Sequence, residues 1–372
     1  MSRWRWRGSV ALLAVCAAFF IFPLLPQDDV INSDWPAFAT GARIIVSDPS
    51  HLYDLDLQQR VQRDVTGGRQ LVTLGIKGIL PFLAPAWVAL LAAPFDLLGT
   101  DLGGRAWVLF GLLCLLAGFY LATRPRPPTE LLPGFAGVPT ALVLLNAQLD
   151  GIVALGIGAA IALWTRPFLA GLALGLTLMK PQLVLPLGAA LLLMRRWQVL
   201  AGWAAAGAAL LLPSLVLSPR WINEWLGQTR STVAPGSREV DLPHLGVLLP
   251  ESLQTVAVAS LTVVAIALVL YLAWRVSETE TGPRAAILIA GGVLAAPHAL
   301  PADLALVALG LAVWGQARWF DWLALSAGAL VCAVTPAPVP AFVGVAVIGW
   351  CLLRMAALVI SRSPGRAPAS AR

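Results

Sequence analysis

Apolar runs recur along this chain almost without a break, at 79–99, 104–123, 131–145, 149–164, 167–180, 183–194, 198–217, 252–274, 284–297, 302–316, 320–335 and 340–360. A helix needs about 20 apolar residues to cross the hydrocarbon of a bilayer. Of the 372 residues, 59% are hydrophobic and 12% are charged, about half the charged share usual in soluble domains. A soluble globule of this size could not hide so much apolar surface. The pattern predicts an all-α integral membrane protein: one polytopic helical bundle over residues 1–361, of about 12 spans. Several runs are shorter than a full span and interrupted by Gly or Pro. Such runs predict half-helices, or breaks that face a cavity.

The net charge of +6 does not point to nucleic acid. Of the 25 basic residues only Lys77 and Lys180 are lysines, and the arginines sit at the ends of apolar runs. That placement is the positive-inside bias of membrane proteins. It assigns Arg195, Arg196, Arg275, Arg284, Arg318 and the basic tail 362–372 to the cytoplasm. The start, MSRWRWRGSV, precedes an apolar run at 10–25 with no clear cleavage site. An uncleaved first span is therefore expected in preference to a signal peptide, with both termini cytoplasmic and the protein in the plasma (inner) membrane. Strict alternation from the N-terminus puts Arg124 and Arg126 outside, whereas counting back from Arg195 puts them inside. One segment, expected at 131–145, does not cross fully. The cysteines, Cys16, Cys114, Cys332 and Cys351, lie singly in apolar runs and read as small hydrophobic fillers.

Residues 27–78 form the longest polar stretch, the first extracytoplasmic loop. Within it Trp35, Phe38, Ala39, Ala42, Ile45 and Val46 share one helical face, with Arg43 pointing away. A second helical pattern over 54–65 carries Leu57, Val61 and Val65 on a stripe, acids first and Arg60 and Arg63 late. Both are expected to be amphipathic helices on the membrane surface.

Ionisable groups within a membrane domain are costly, and each is a functional candidate. Asp34, in INSDWPAF, is either the N-cap of the first surface helix or a general base at the membrane boundary. Lys180, in TLMKPQLV, must snorkel, pair or hold an anion. Asn146, Gln148 and Asp150 make a polar knot, read as a turn or as part of a site. His298 and Asp303, in APHALPADLAL, lie at a Pro-rich outer turn, either a solvated loop with a cap or a second part of the site. His51 and His244 have no accompanying feature. No zinc spacing, phosphate-cradling loop, nucleophile elbow or dinucleotide fingerprint is present. This argues against ATP-driven transport, serine hydrolysis and redox chemistry.

The order of these features resembles glycosyltransferase family 87, which includes polyprenyl-phosphate-mannose-dependent mannosyltransferases. The likeness runs from SDWPAF, through the Tyr53-Asp54 pair and LPFLAPAW, to LNAQLDGIVALG, LMKPQLVLP and APHALPADLAL. The resemblance implies a C-type glycosyltransferase (GT-C) fold with its site at the outer face, and a hexosyltransferase of cell-envelope biogenesis. Its donor would be a polyprenyl-phosphate sugar, mannose favoured, and its acceptor a glycolipid or envelope polysaccharide. It implies Asp34 as the catalytic base of an inverting transfer, with Lys180 and His298 on the donor phosphate. Asp303, Gln148, Asn146 and Tyr53 would support them, with no metal and no cofactor. A transporter or flippase of a lipid-linked saccharide is the alternative, and a non-catalytic scaffold with Asp34 as a cap is a third reading.

Overall fold

The computed structural model describes residues 30–69, 80–124, 126, 132–232, 245, 249–276 and 281–360. The expected first span, Lys77, His244 and the basic tail lie outside the described residues. Among the described residues there are sixteen α-helices and no β-strand element. They are α1 (Trp35–Ser47), α2 (Leu55–Thr66), α3 (Ala86–Asp96), α4 (Thr100–Thr123), α5 (Leu132–Phe135), α6 (Val138–Leu145), α7 (Asp150–Ala162), α8 (Pro167–Leu174), α9 (Leu185–Leu193), α10 (Trp197–Leu217), α11 (Trp221–Thr232), α12 (Glu251–Arg275), α13 (Thr281–Ala295), α14 (Leu304–Trp314), α15 (Trp319–Val334) and α16 (Val339–Ile360). By length and composition α4, α10, α12 and α16 can each cross a membrane, and seven further apolar helical stretches are shorter. α12 presents Leu253, Val256, Val263 and Val264 outward, an apolar surface suited to lipid. In contrast, every residue of α14 is buried.

The tightest packing comes from glycine. On α4 and α7, Gly111 lies against Gly151 and Gly118 against Gly158, with backbone in the space a Cβ would need. The two numberings rise together, so the helices run parallel. The spacing of seven residues, about two turns, returns each glycine to the same face. α8 and α10 repeat the device, with Gly171 against Gly202 and Gly175 against Ala206. Close backbone approach of this kind substitutes for the hydrophobic drive that is absent between helices in lipid.

The first loop is built into the protein. α1 is buried along most of its length, and only its end, at Val46, is well exposed. It packs under α3 and α4 through Trp35, Phe38 and Trp107, and Arg43 pairs with Asp96 at 3.0 Å. The expectation of two surface-lying helices is therefore revised for α1, because protein covers its polar side as well. α2 follows its expected range and is capped by Asp54, which accepts from the N–H groups of Asp56 and Leu57. Its fully buried positions include two glutamines. Gln62 both donates to Leu80 O (2.7 Å) and accepts from Leu80 N (2.8 Å). Gln58 accepts from Phe82 N (2.9 Å) and donates to Leu52 O (2.8 Å). Side-chain amides thus serve the extended segment 80–85 in place of a neighbouring strand, because a buried backbone must find partners somewhere.

Several arginines cluster in this architecture. Arg126 donates to Val313 O at 3.0 Å, near the end of α14. Arg354 and the Arg318 backbone meet on Asp321, and Arg354 also lies over the Trp314 ring. Arg284 binds the carbonyls of Ala273 and Val276. Arg126, Arg284, Arg318 and Arg354 thus gather at one end of the bundle. Helix α3 spans 11 residues, about 16 Å, too short to cross. Both its ends are tied to the first loop, through Ala84 with Tyr53 and Asp96 with Arg43. α3 thus starts and ends against the first loop. In the segment 131–145, expected not to cross fully, α5 and α6 run from Trp322, at the arginine end, to the polar turn at Asn146.

Candidate active site

At the opposite end from the arginines, four short chain breaks converge. The first is the turn before α1. Asp34 stands at the N-cap position, yet its side chain makes no capping bond. Ser33 Oγ accepts from Trp35 N instead, at 3.2 Å. The Asp34 carboxylate is turned onto Gln148, whose amide donates to Oδ2, while Asp34 N donates to Asn146 O at 3.2 Å. Asp34 as a whole residue is half-buried.

The second break is LNAQLDG, between α6 and α7. Ala147 has a left-handed backbone with φ 51°, a costly conformation for a residue with a Cβ. Two contacts hold it: Trp107 Nε1 donates to Ala147 O at 2.9 Å, and Gly151 sits directly on Gly111. The turn carries Asn146 and Gln148 to Asp34 and ends in Asp150.

The third break is the pair of 3-10 turns Gly175–Met179 and Pro181–Val184, joined at Lys180. Pro181 has no N–H to continue a helix. Lys180 Nζ lies 2.8 Å from Asp150 Oδ2 and 2.5 Å from Asp303 Oδ1, and all three residues are buried. The fourth break is the turn from α13 to α14. Asp303 closes it by accepting from Leu300 N at 2.6 Å, and the exposed His298 lies on the same turn.

Of the residues expected from the sequence, Asp34, Asn146, Gln148, Lys180, His298 and Asp303 come together. Tyr53 does not join them. It is buried against Phe82 and Trp221 and donates to Ala84 O at 2.9 Å, which braces the first loop. Asp150, part of the polar knot expected to be a turn or part of a site, is half of the Lys180 clamp. A signal for it existed, since a buried lysine requires carboxylate partners. The partners lie 30 and 123 residues away, so spacing along the chain could not identify them.

Electrostatics single out Asp34. Burial pushes its carboxyl up, and the charges of Lys180 and His298 and the Gln148 amide pull it back. The nearby Asp303 adds to the upward push, and the balance stands at about 6. The carboxylate is therefore ionised at neutral pH and has more proton affinity than an ordinary aspartate, which suits a general base. Among the described residues no cluster of His, Cys, Asp and Glu could hold a metal ion. Beside the site, a cavity of about 360 Å³ opens between α3, α4, α7, the turn before Lys180 and α10. Its lining is almost wholly apolar and includes Trp87, Phe110, Ile152, Leu176, Met179 and Leu210.

Compared with known proteins, residues 82–301, more than half of the chain, match the family described as glycosyltransferase family 87. No curated protein and no solved structure matches the chain.

Proposed function

The chain belongs to glycosyltransferase family 87, and from that membership we propose that it moves a hexose, mannose favoured, from a polyprenyl phosphate to a glycolipid or envelope-glycan acceptor. The observation that carries the proposal is the Asp34 carboxylate, which makes no cap bond to its helix, is held by Gln148 and feels the charges of Lys180, His298 and Asp303. In the proposed reaction Asp34 takes the proton from an acceptor hydroxyl. The freed oxygen forms a bond to the anomeric carbon as the bond from that carbon to the phosphate oxygen breaks, and the configuration inverts. The electron pair leaves on the phosphate. His298 and the fixed charge of Lys180 stabilise it. Lys180 spends two of its three N–H donors on Asp150 and Asp303, so its part is mainly that of a placed charge. Asp303 holds the His298 turn through Leu300 N, and Asn146 and Gln148 hold Asp34. A phosphate leaves without help from an acid, so no metal and no cofactor are needed.

The apolar cavity beside Lys180 supports a lipid donor over a soluble nucleotide sugar. The grouping of arginines at the other end of the bundle supports an extracytoplasmic site, by the positive-inside rule. The test uses membranes carrying the full chain, radiolabelled polyprenyl-phosphate-mannose and a total lipid extract, with wild type beside Asp34→Asn. Label transferred by wild type and not by the variant supports the proposal. Equal transfer by both removes Asp34 from the chemistry. Donor that crosses the membrane without transfer would favour the flippase reading.

A further inference from the structure

The two carboxylates that clamp Lys180 are not equivalent. Asp303 has a donor on each oxygen: Lys180 Nζ on Oδ1 and Leu300 N on Oδ2. Asp150 has one. Its Oδ2 accepts from Lys180, while Oδ1 is buried and receives no donor, and its carboxyl faces that of Asp303. A buried charged oxygen with no donor is among the costliest groups a protein can hold, and protonation removes most of the cost. Charge counting agrees. The charged groups acting on Asp150 are Lys180 and Asp303. One ammonium is balanced by one carboxylate, and a second negative charge would stand uncompensated among buried groups.

We propose that Asp150 is a positioning residue held as the neutral acid, which fixes Lys180 against an ionised Asp303 and anchors the turn that carries Gln148 to Asp34. Asp150 touches none of the reacting atoms. It acts at both ends of a short lever. Two residues before it, Gln148 binds Asp34, and its own carboxyl binds the lysine whose charge acts on Asp34. A neutral acid in this role holds Lys180 in place without adding a second negative charge beside it.

The transfer part of this inference rests on the donor reading above, whereas the protonation part does not, and the experiment separates them. The full chain is purified in detergent and its infrared spectrum recorded at about pH 7, where ordinary carboxyls are ionised and Asp34 is mostly so. A carboxylic-acid C=O band is expected in wild type and lost in Asp150→Asn. Absence of the band in wild type, or its persistence in Asp150→Asn, overturns the proposal. Transfer is then measured on the same variants. Asparagine is the isostere of a neutral acid, so Asp150→Asn keeps kcat within about threefold, whereas Asp150→Leu and Asp303→Asn each lose about tenfold or more with little change in the donor KM. Equal losses in Asp150→Asn and Asp150→Leu would also overturn it. If wild type transfers no label, the donor reading fails and the infrared band still decides the state of Asp150.

Discussion

Gln148 reaches across 114 residues of sequence to donate its side-chain amide to Asp34. It does so from a turn whose backbone also receives the Asp34 N–H, at Asn146 O. The acid is therefore oriented twice by one turn. Its freedom to serve as a helix cap has been given to Ser33, and a test follows from that division. Ser33→Ala should cost about 1 kcal/mol of stability, the usual worth of a cap, with the transfer rate per folded molecule unchanged. Asp34→Asn should do the reverse: thermal unfolding in detergent within a degree or two of wild type, and transfer lower by at least about 100-fold. Equal effects on both quantities in both variants would refute the division.

The pH dependence has a definite sign. Asp34 must be ionised to accept a proton, and its carboxyl is pushed up to about 6. Transfer should therefore fall as the pH drops through about 6, by about tenfold per unit well below it. Gln148→Leu removes a donor that favours the ionised form, so the acid limb of the profile should move to higher pH. A limb that stays in place would separate Gln148 from the base.

The glutamine clamp of the first loop gives a prediction about stability. Gln62→Leu keeps the bulk but leaves both Leu80 N and Leu80 O without the partners they now have. Each lost partner costs about 1–3 kcal/mol. The melting temperature should fall clearly. Gln59, on the neighbouring face and half-exposed, should tolerate the same change far better.

At the α4–α7 contact, Gly151 has the backbone of Gly111 where a Cβ would go. Gly151→Val should push the helices apart at the level of the site. Overpacking of this kind costs about 1–3 kcal/mol, and here it should also reduce transfer, since the turn carrying Gln148 ends there. Gly349 has open space around it, so Gly349→Ala is the control and should change neither.

Sidedness can be read by labelling. Cys114, Cys332 and Cys351 are buried, so a single introduced surface cysteine can be scored after Cys16 is replaced. Cysteines at the exposed Arg124 and Arg318 should react from one side of a sealed vesicle, and one at the exposed His51 from the other. Labelling of Arg124→Cys from the His51 side would contradict that sidedness.

Most of the helical layout could be read from hydropathy alone. The expected runs 104–123, 302–316 and 320–335 lie within a few residues of α4, α14 with the 3-10 turn before it, and α15. Apolar length is a local property, and so is the capping of α2 by Asp54. What could not be read was pairing. The segment 79–99 is as apolar as a span, but the Tyr53 and Arg43 contacts that hold both its ends at one face come from the preceding loop. In α2 the apolar stripe drew attention to Leu57 and Val61, while the buried face also holds Gln58 and Gln62, polar residues whose partners lie beyond the helix. Lys180 stood out as costly, and the expectation sent it to a phosphate. The two carboxylates that share its charge are brought near only by the fold.

The parallel run of α4 beside α7 has a consequence for biogenesis. Neighbouring antiparallel helices can enter a bilayer together as a hairpin, but parallel neighbours cannot, because the chain must first travel back across. The glycine seam therefore closes only after α5 and α6 have made that return, and the turn that steers Asp34 hangs from the far side of the same return. Lys180 arrives later still, after α8, and Asp303 after α13. A partly translated chain thus holds each ingredient of the site separately and the assembled arrangement not at all. Truncated or stalled products should be catalytically silent before they are degraded.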